Sequence, residues 1–591
     1  MKKRLISLLL LAAMLLPVLM GCAPETVIKP PSPDEQLYTQ LFDYNNKIEI
    51  NVRMTEAEVA KLQKDYDKYK DQSPIYRKAD LDVTITLPNG EKITHTIEEV
   101  GVRTKGTSYS ASPFYSKSKG IYSLIHMKIN FQETFDDPEH YGKDVKTWED
   151  PAAREARKNR TFATLEKLDM KWNRSDDPTY IRESYCVDVF RANDILAPRT
   201  NISSIDWAGL HLGVYTIYEP VDKVFLERNL PAAAQGGNLY KCAYQTRFNG
   251  KDSIGVEDEL AGKFYQFDLK TNKKTADHTQ LNNLISALND GIPTKEKLAE
   301  LFDMENFLTY CAVSYFIGNG DDMRNDTNNV YIYFRPNDGK AIIIPHDFDR
   351  GLGVTGGHKS IYDNLVTENP FGFRMAWLDE RQENPVFLYT VCEGGYYVKE
   401  FAEEMKKVAK HEMFTEEVFN ARYAVSEALY KKDAKPSKTF ENAKGKNFTF
   451  DRDKSGPVGG AKNMSFSVYI KAKMKTFERY MEKVDDYVGG PFRLPTNFYL
   501  QTDLGNWANL DAMELGIVKD GVYGLKLTIR NKASILLYDK TNKISYGYSK
   551  LSSENTVPCT KGEKGSFVLP KGTYYIQMEK GTKNITILKE A

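Results

Sequence analysis

The residues best suited to chemistry lie close together, between 319 and 353. Asn319-Gly320-Asp321-Asp322 is followed by Asn328-Asn329, then by two short apolar runs, then by Asp347-Phe348-Asp349. An Asp, an Asn several residues on, a β-hairpin and a second Asp form the order that magnesium-dependent phosphoryl transfer requires. One carboxylate orients the acceptor hydroxyl or takes its proton, while the Asn and the later Asp hold metal against the phosphates. Carboxylate and amide oxygens suit Mg2+, which keeps several waters and needs few protein ligands. The competing reading is turn chemistry, since Asp, Asn and Gly also crowd loops for their local hydrogen bonds. Gly351-Leu352-Gly353-Val354-Thr355-Gly356 matches GxGxxG, but it follows the second Asp instead of opening a nucleotide-binding unit, and is expected to be a flexible loop. The eight histidines never fall at HExxH or HxH spacing and no GxSxG occurs, so zinc-hydrolase and common serine-hydrolase chemistries find no support. His346, beside Asp347, is expected to pack or hydrogen-bond.

Periodicity shows the elements that must position these groups. Ile48, Ile50 and Val52 alternate in a strand over 47–53, and a polar helix follows over 55–70. Residues 81–87 alternate into Pro88-Asn89-Gly90, and Ile93 to Ile97 return, which predicts a β-hairpin. More strand is expected at 99–104 and 122–131, so the N-terminal part reads as a mostly antiparallel sheet. Asp177-Pro178 opens a helix predicted over 178–193. Strands at 200–207, 211–219 and 238–243 precede helices at 279–290, 294–302 and 304–317. A strand pair at 330–335 and 341–345 then delivers Asp347. Charged helices are expected over 397–431 and 465–487, with 433–463 a long exposed loop between them. Beyond Gly489-Gly490-Pro491, short alternating strands over 497–588 predict a separate all-β module, a sandwich by its turn spacing. Its Tyr499, Trp507 and Tyr546 are candidates to stack on a carbohydrate or a protein ligand, or else to fill its core.

The ends of the chain bear on location. Lys2, Lys3 and Arg4 precede an apolar run over 5–20 that is short for a bilayer span and has the form of a signal peptide. It ends in Leu19-Met20-Gly21-Cys22, the pattern of a lipobox, in which the Cys22 thiol takes a diacylglyceryl group. Two acyl chains are enough for stable anchoring, at about 0.8 kcal/mol per buried methylene. The expected location is therefore the extracytoplasmic face of the cell membrane, held by lipid. Residues 22–44 form a Pro-rich tether, followed by a large unit over 45–488 and the β module over 489–591. The 591 residues carry 81 Lys+Arg against 81 Asp+Glu, and loss of residues 1–21 leaves 78 against 81. Such balance excludes the basic footprint of a nucleic-acid binder. A mean hydropathy of −0.52 excludes a polytopic membrane protein, and 12% aromatic residues exclude disorder. The five remaining cysteines (Cys186, Cys242, Cys311, Cys392 and Cys559) are scattered without a CxxC pair, so buried free thiols are expected.

Several short motifs, in order, resemble the CotH kinase family, the spore-coat-protein-like atypical kinases. Asn319, Asp321, Asn329, Tyr331 and Tyr333 resemble its catalytic loop. Pro345-His346-Asp347-Phe348-Asp349 with Gly351 and Gly353 is similar to its metal motif, with His346 where Trp is common. Gly101-Val102-Arg103-Thr104-Lys105-Gly106-Thr107-Ser108 resembles its Arg-x-Lys-Gly-Asn-Ser signature, with Thr107 in place of Asn. Asp177-Pro178, Gly213-Val214-Tyr215 and Gly237-Asn238-Leu239-Tyr240-Lys241 follow in the family's order. The resemblance covers roughly residues 45–487, with extra residues at 109–120 and 355–368.

The resemblance implies an α+β fold: a divergent protein-kinase-like domain with an N-terminal antiparallel sheet, ahead of the sandwich-like module. It implies ATP and Mg2+ or Mn2+ as cofactors and exported or spore-coat proteins as partners. Asp321 is then the catalytic carboxylate, with Asp322 its rival. Asn329 and Asp347 hold metal, and Asp349 is a candidate to share it. Lys128 is the candidate phosphate-binding lysine, with Arg103 and Lys105 as alternatives, and Glu183 is its candidate helix partner. The expected activity is transfer of the ATP γ-phosphoryl group to Ser or Thr of exported proteins. The alternative is a catalytically silent surface or spore-coat scaffold.

Overall fold

Alternating apolar residues build the first sheet: β1 (Lys47–Arg53), β2 (Arg77–Thr86), β3 (Lys92–Lys105), β4 (His126–Asn130), β5 (Lys167–Trp172), β6 (Thr200–Trp207) and β7 (Leu210–Tyr218). The computed structural model describes residues 30–589 apart from 71–72, 107–114, 117–120, 245, 247, 249–253, 327, 355–365, 373–384, 447, 455, 459–460, 493–495, 511–512, 520 and 556. Cys22, the leader, residues 23–29 of the tether, Thr107 and Ser108 lie outside the described residues, as do most of 109–120 and 355–368. The rest of the expected tether is not a free spacer: it holds a helix, Pro33–Leu41, whose Leu37, Tyr38 and Leu41 are buried in the core of the first sheet. Among the described residues, no helix is long and apolar enough to cross a membrane.

The expected sheet closes into a barrel in the order β1-β2-β3-β4-β5-β7-β6. Neighbours are antiparallel except at the seam, where β1 runs parallel to β6 with Glu49 beside Ser204. Closure leaves no open sheet edge. Val102, Met127, Ile129, Leu168, Met170 and Ile217 fill the interior. The opposite side of the pleat carries Arg103, Lys105, Lys128, Asp169 and Lys171, because side chains alternate along a strand. Arg103 lies opposite Lys128, and Lys128 opposite Asp169. Strand β5 is absent from the expectations drawn from sequence. Its Lys and Asp are unusual strand residues, although Leu168, Met170 and Trp172 do alternate.

Helix α1 (Arg182–Ala192) interrupts the barrel between β5 and β6, and beyond β7 the chain enters a second sheet. That sheet comprises β8 (Leu239–Cys242), β9 (Ile254–Gly255), β10 (Phe267–Leu269), β11 (Val330–Phe334) and β12 (Ala341–Pro345), in the order β9-β10-β8-β11-β12. Helices α2 (Thr279–Asn289), α3 (Lys295–Leu301) and α4 (Met304–Ile317) match their expected spans. All residues of α4 from Phe307 to Ile317 are buried, as befits a helix apolar on every side. It ends at Gly318 in the left-handed region (φ 61°), where a Cβ would collide with the Tyr469 hydroxyl. Helices α5 (Val398–Ala409) and α7 (Phe466–Met481) pack on it, and α6 (Glu416–Tyr430) joins them in the largest apolar core.

Two further expectations need correction. Helix α1 begins at Arg182 instead of 178. The Asp177 carboxylate still serves its start, accepting from the Arg182 amide at 2.9 Å and the Thr179 amide at 2.9 Å. The stretch 433–463 is also not an exposed loop throughout, since Ala434, Phe440, Ala443 and Phe450 are buried.

Beyond residue 497 two sheets share one apolar core built on Leu500, Ile535, Leu537, Ile576 and Ile587, the sandwich arrangement expected. Tyr499 is buried, so it presents no ring to a ligand. Trp507 is half-buried with the Lys564 ammonium 5.1 Å from its ring. Cys186, Cys242, Cys311 and Cys392 are buried free thiols, and Cys559 is half-buried.

Candidate active site

Three elements converge between the barrel and the second sheet: the outer face of β5, the first turn of α1, and the loops flanking the β11–β12 hairpin. Lys171 is the junction. Its Nζ lies 2.6 Å from Glu183 Oε1 and 3.2 Å from Asp349 Oδ2, and it bonds Asp347. Burial disfavours the ammonium, but Asp347, Asp349 and Glu183 together outweigh burial and hold it firmly protonated. Burial works against ionisation of Asp347 too, and Lys171 reverses it, keeping that carboxyl far below the usual range. Glu183 is pushed up to about 7, by burial first and then by Asp349 and Asp347, against the pull of Lys171. One lysine thus serves three carboxylates.

The lysine paired with Glu183 is therefore Lys171, which corrects the expected pairing with Lys128. Lys128 lies one strand away, with its Nζ 3.4 Å from Asp169 Oδ1, and burial lowers it to about 8. Lys105 also bonds Asp169. Both lysines stay on the cleft side of the barrel, Lys128 two residues along the pleat from Lys171. Arg103 turns away, donating to the Ser73 carbonyl at 2.8 Å with Glu259 3.8 Å distant. From the second sheet, Lys241 on β8 adds a cation lowered by burial and by Lys105.

The hairpin's open end is held in an unusual backbone. Asn329 (φ 54°) and Asp347 (φ 60°) both adopt the left-handed conformation, which Asn and Asp tolerate better than other side chains. The His346 amide donates to the Asn329 carbonyl at 2.9 Å. The Asn329 side-chain nitrogen donates to the carbonyls of Asp321 (2.6 Å) and Asp347 (3.3 Å), leaving its oxygen as the remaining acceptor. The Ser175 hydroxyl donates to Asp349 Oδ2 at 2.7 Å. His346 packs between Tyr218 and Tyr331, with ring centroids 6.2 and 5.5 Å away, and burial keeps it neutral. Gly351 sits where a Cβ would press on Ile317 and Cys186. The GxGxxG match is therefore a close-packed turn at its first glycine, and its last glycine lies outside the described residues.

Asp321 and Asp322 have different fates. Asp321 remains one-fifth exposed, accepts from Asn328 Nδ2 at 2.8 Å and lies 3.8 Å from an Arg350 nitrogen. Burial raises it to about 6, against the opposing charge of Arg350. Asp322 is fully buried and bonded to the Ser314 hydroxyl on α4. This geometry turns Asp321 toward the cleft and makes Asp322 a bond within the core. Asp322→Ala should accordingly cost about 2–3 kcal/mol of stability by orphaning buried donors. Urea unfolding reads that loss, and nucleotide binding by the folded fraction should persist.

The oxygen donors of Asp347, Asp349 and Asn329 fit a hard cation such as Mg2+ or Mn2+ that takes its remaining ligands from water and phosphate. Among the described residues no set of three or more His, Cys, Asp or Glu forms a dedicated metal cage. A small pocket beside the site is lined by Trp172, Asn173, Ser175, Glu183, Thr216 and Asp349. The residues not anticipated are Lys171, Ser175 and Arg350. For Lys171 the available signal was alternation in Lys167-Leu168-Asp169-Met170-Lys171-Trp172 just ahead of the helix that carries Glu183.

A family model described as CotH kinase protein matches residues 144–450. No curated protein matches the sequence. Among solved structures, HipA of the Shewanella oneidensis MR-1 toxin–antitoxin system, in complex with HipB and operator DNA, is 12% identical with a TM-score of 0.25. That alignment covers 54% of this chain and 59% of HipA, so this chain spans under two thirds of that protein. The Helicobacter pylori proinflammatory kinase CtkA is 9% identical with a TM-score of 0.21, covering 53% of this chain and 92% of CtkA. At those scores the likeness carries no argument about fold or function.

Proposed function

The chain belongs to the CotH kinase protein family, and on that premise we propose that it is an atypical kinase that transfers the γ-phosphoryl group of ATP to Ser or Thr hydroxyls of exported proteins, spore-coat proteins among them. The observation that carries the proposal is Lys171, joined to Glu183, Asp347 and Asp349 with Asp321 close by. Asp347, Asp349 and the Asn329 oxygen would hold Mg2+ or Mn2+, which neutralises phosphate charge when bound. Glu183 keeps the Lys171 ammonium aimed into the cleft, where it meets phosphate oxygens. Lys105 and Lys128 present further positive charge from the same barrel face. Asp321 accepts the proton of the acceptor hydroxyl. Catalysis on this reading is positioning and electrostatics in a kinase-like unit over 45–488, with no covalent enzyme intermediate. The lipobox at Cys22 supports a lipid-anchored, extracytoplasmic location, and the β module over 489–591 is proposed as an accessory unit for a carbohydrate or protein ligand.

The test is incubation of the purified chain with γ-labelled ATP, Mg2+ or Mn2+, and Ser/Thr-rich exported proteins. Label should appear on acceptor Ser or Thr, and chelation of the metal should abolish it. No transfer and no metal-dependent nucleotide binding would overturn the kinase reading and leave the silent scaffold.

A further inference from the structure

The described residues of 436–452 contribute no group to the site, yet they are pinned to both sides of the cleft. Phe440 and Ala443 enter the barrel core. Between them, Asn442 clamps the backbone of Leu124 just ahead of β4, with Oδ1 accepting from the Leu124 amide at 2.9 Å and Nδ2 donating to its carbonyl at 2.7 Å. Farther along, Phe450 stacks on Tyr180 in the helical body, with centroids 4.7 Å apart and planes 27° apart. The Asp451 amide donates to the Pro178 carbonyl at 2.8 Å. These contacts define a strap that crosses from the barrel to the helices over the turn 173–177.

Lys446 is the strap's contact with that turn. Its ammonium donates to the Arg174 carbonyl and to Asp176 Oδ1, both at 2.6 Å, and lies 5.1 Å from the Trp172 ring. Asp176 is 8% exposed and holds a left-handed backbone (φ 58°), and Lys446 is the foremost charge opposing the burial of its carboxylate, with Lys454 second. The next residue toward the N-terminus is Ser175, the donor to Asp349. The turn also links Lys171 at the end of β5 to Glu183 at the start of α1.

We propose that Lys446 is a positioning residue for the metal-holding carboxylate Asp349, acting through Asp176 and the Ser175 hydroxyl, so that docking of the strap sets the metal affinity of the site. The inference rests on the kinase reading above. Without Lys446, Asp176 loses its main bonded cation and keeps the weaker influence of Lys454, the turn relaxes and Ser175 no longer fixes one oxygen of Asp349. Asp349 is then free to turn further toward Lys171. The Lys171–Glu183 contact does not pass through the strap and is retained.

The test compares Lys446→Met, Lys446→Arg and Ser175→Ala in the full chain, with Mn2+ as the probe. Electron paramagnetic resonance reads free Mn2+ with and without ADP. Partners of metal ligands typically change metal affinity by about 10- to 100-fold. Lys446→Met should therefore weaken Mn2+ binding by about tenfold or more. Ser175→Ala should do the same, and the double variant should add little, since both act on one path. Lys446→Arg, which keeps the cation, should recover most of the affinity. Phosphoryl transfer by Lys446→Met should need more metal yet approach the parent rate at saturation. A lower melting temperature with unchanged Mn2+ affinity in both single variants would make the strap merely structural and overturn the proposal. Ser175→Ala leaves the strap docked and decides the question if Lys446→Met does not fold. If the parent chain binds neither Mn2+ nor nucleotide, the kinase reading falls and this inference with it. If the parent binds both and the variants match it, only this inference falls.

Discussion

Lys171→Met should lower metal-dependent phosphoryl transfer by about a hundred- to a thousandfold, the range for removing one preorganised donor from a transition state. The ammonium is held by Glu183 and lies between the two carboxylates that flank the proposed metal position. A neutral methionine also leaves three carboxylates facing one another. Breaking a buried ion pair costs about 3–5 kcal/mol, and the exposure of Asp347 reduces the loss here through solvent screening. Mg2+ should therefore raise the melting temperature of Lys171→Met more than that of the parent, because a cation replaces the missing charge. Calorimetry with and without Mg2+ reads this directly. Lys128→Met should be milder, at most about tenfold in rate, because Asp169 keeps Lys105 as a partner. Equal collapse of both variants would refute the division of roles between the two lysines.

Asp321→Asn should lower kcat by about a hundred- to ten-thousandfold, the range for a general base, with little change in nucleotide or metal affinity. An amide preserves the shape and the contact with Asn328 but cannot accept a proton from the acceptor. The pH profile provides the sharper check. Burial raises Asp321 to about 6, and only the ionised form accepts a proton. The parent rate should therefore fall as pH drops through about 6, and the residual rate of Asp321→Asn should lack that limb. An unaltered acid limb in the variant would assign it to another group and remove Asp321 from the role of base.

Much of this architecture could be read along the chain. The hairpin over 330–345, helix α4 and the C-terminal strands follow from apolar periodicity and from the Gly and Asn that punctuate them. Asp321, Asn329, Asp347 and Asp349 were visible together because one hairpin separates them and local turns deliver them to one end of it. Strand β5 was not visible. Three of its six residues are Lys or Asp, and they become strand residues only because the barrel buries the other face. The strap over 436–452 reads as a solvated loop because the whole stretch 433–463 is rich in Lys, Gly, Asn and Ser, while a few aromatic and small residues do the docking.

Local order is therefore enough to name the residue types and the chemistry they suit. It could not choose Lys171 over Lys128 as the partner of Glu183, nor Asp321 over Asp322 as the group that faces the cleft. The first choice depends on the order and register of strands, since Lys128 lies opposite Asp169 and only the next outward position on β5 reaches α1. The second depends on how α4 ends at Gly318, which sends one carboxylate back to Ser314 and the other outward. Packing decides both, because a side chain's direction follows from which element its backbone pairs with, and the barrel closes by joining β1 to β6 across some 150 residues of chain.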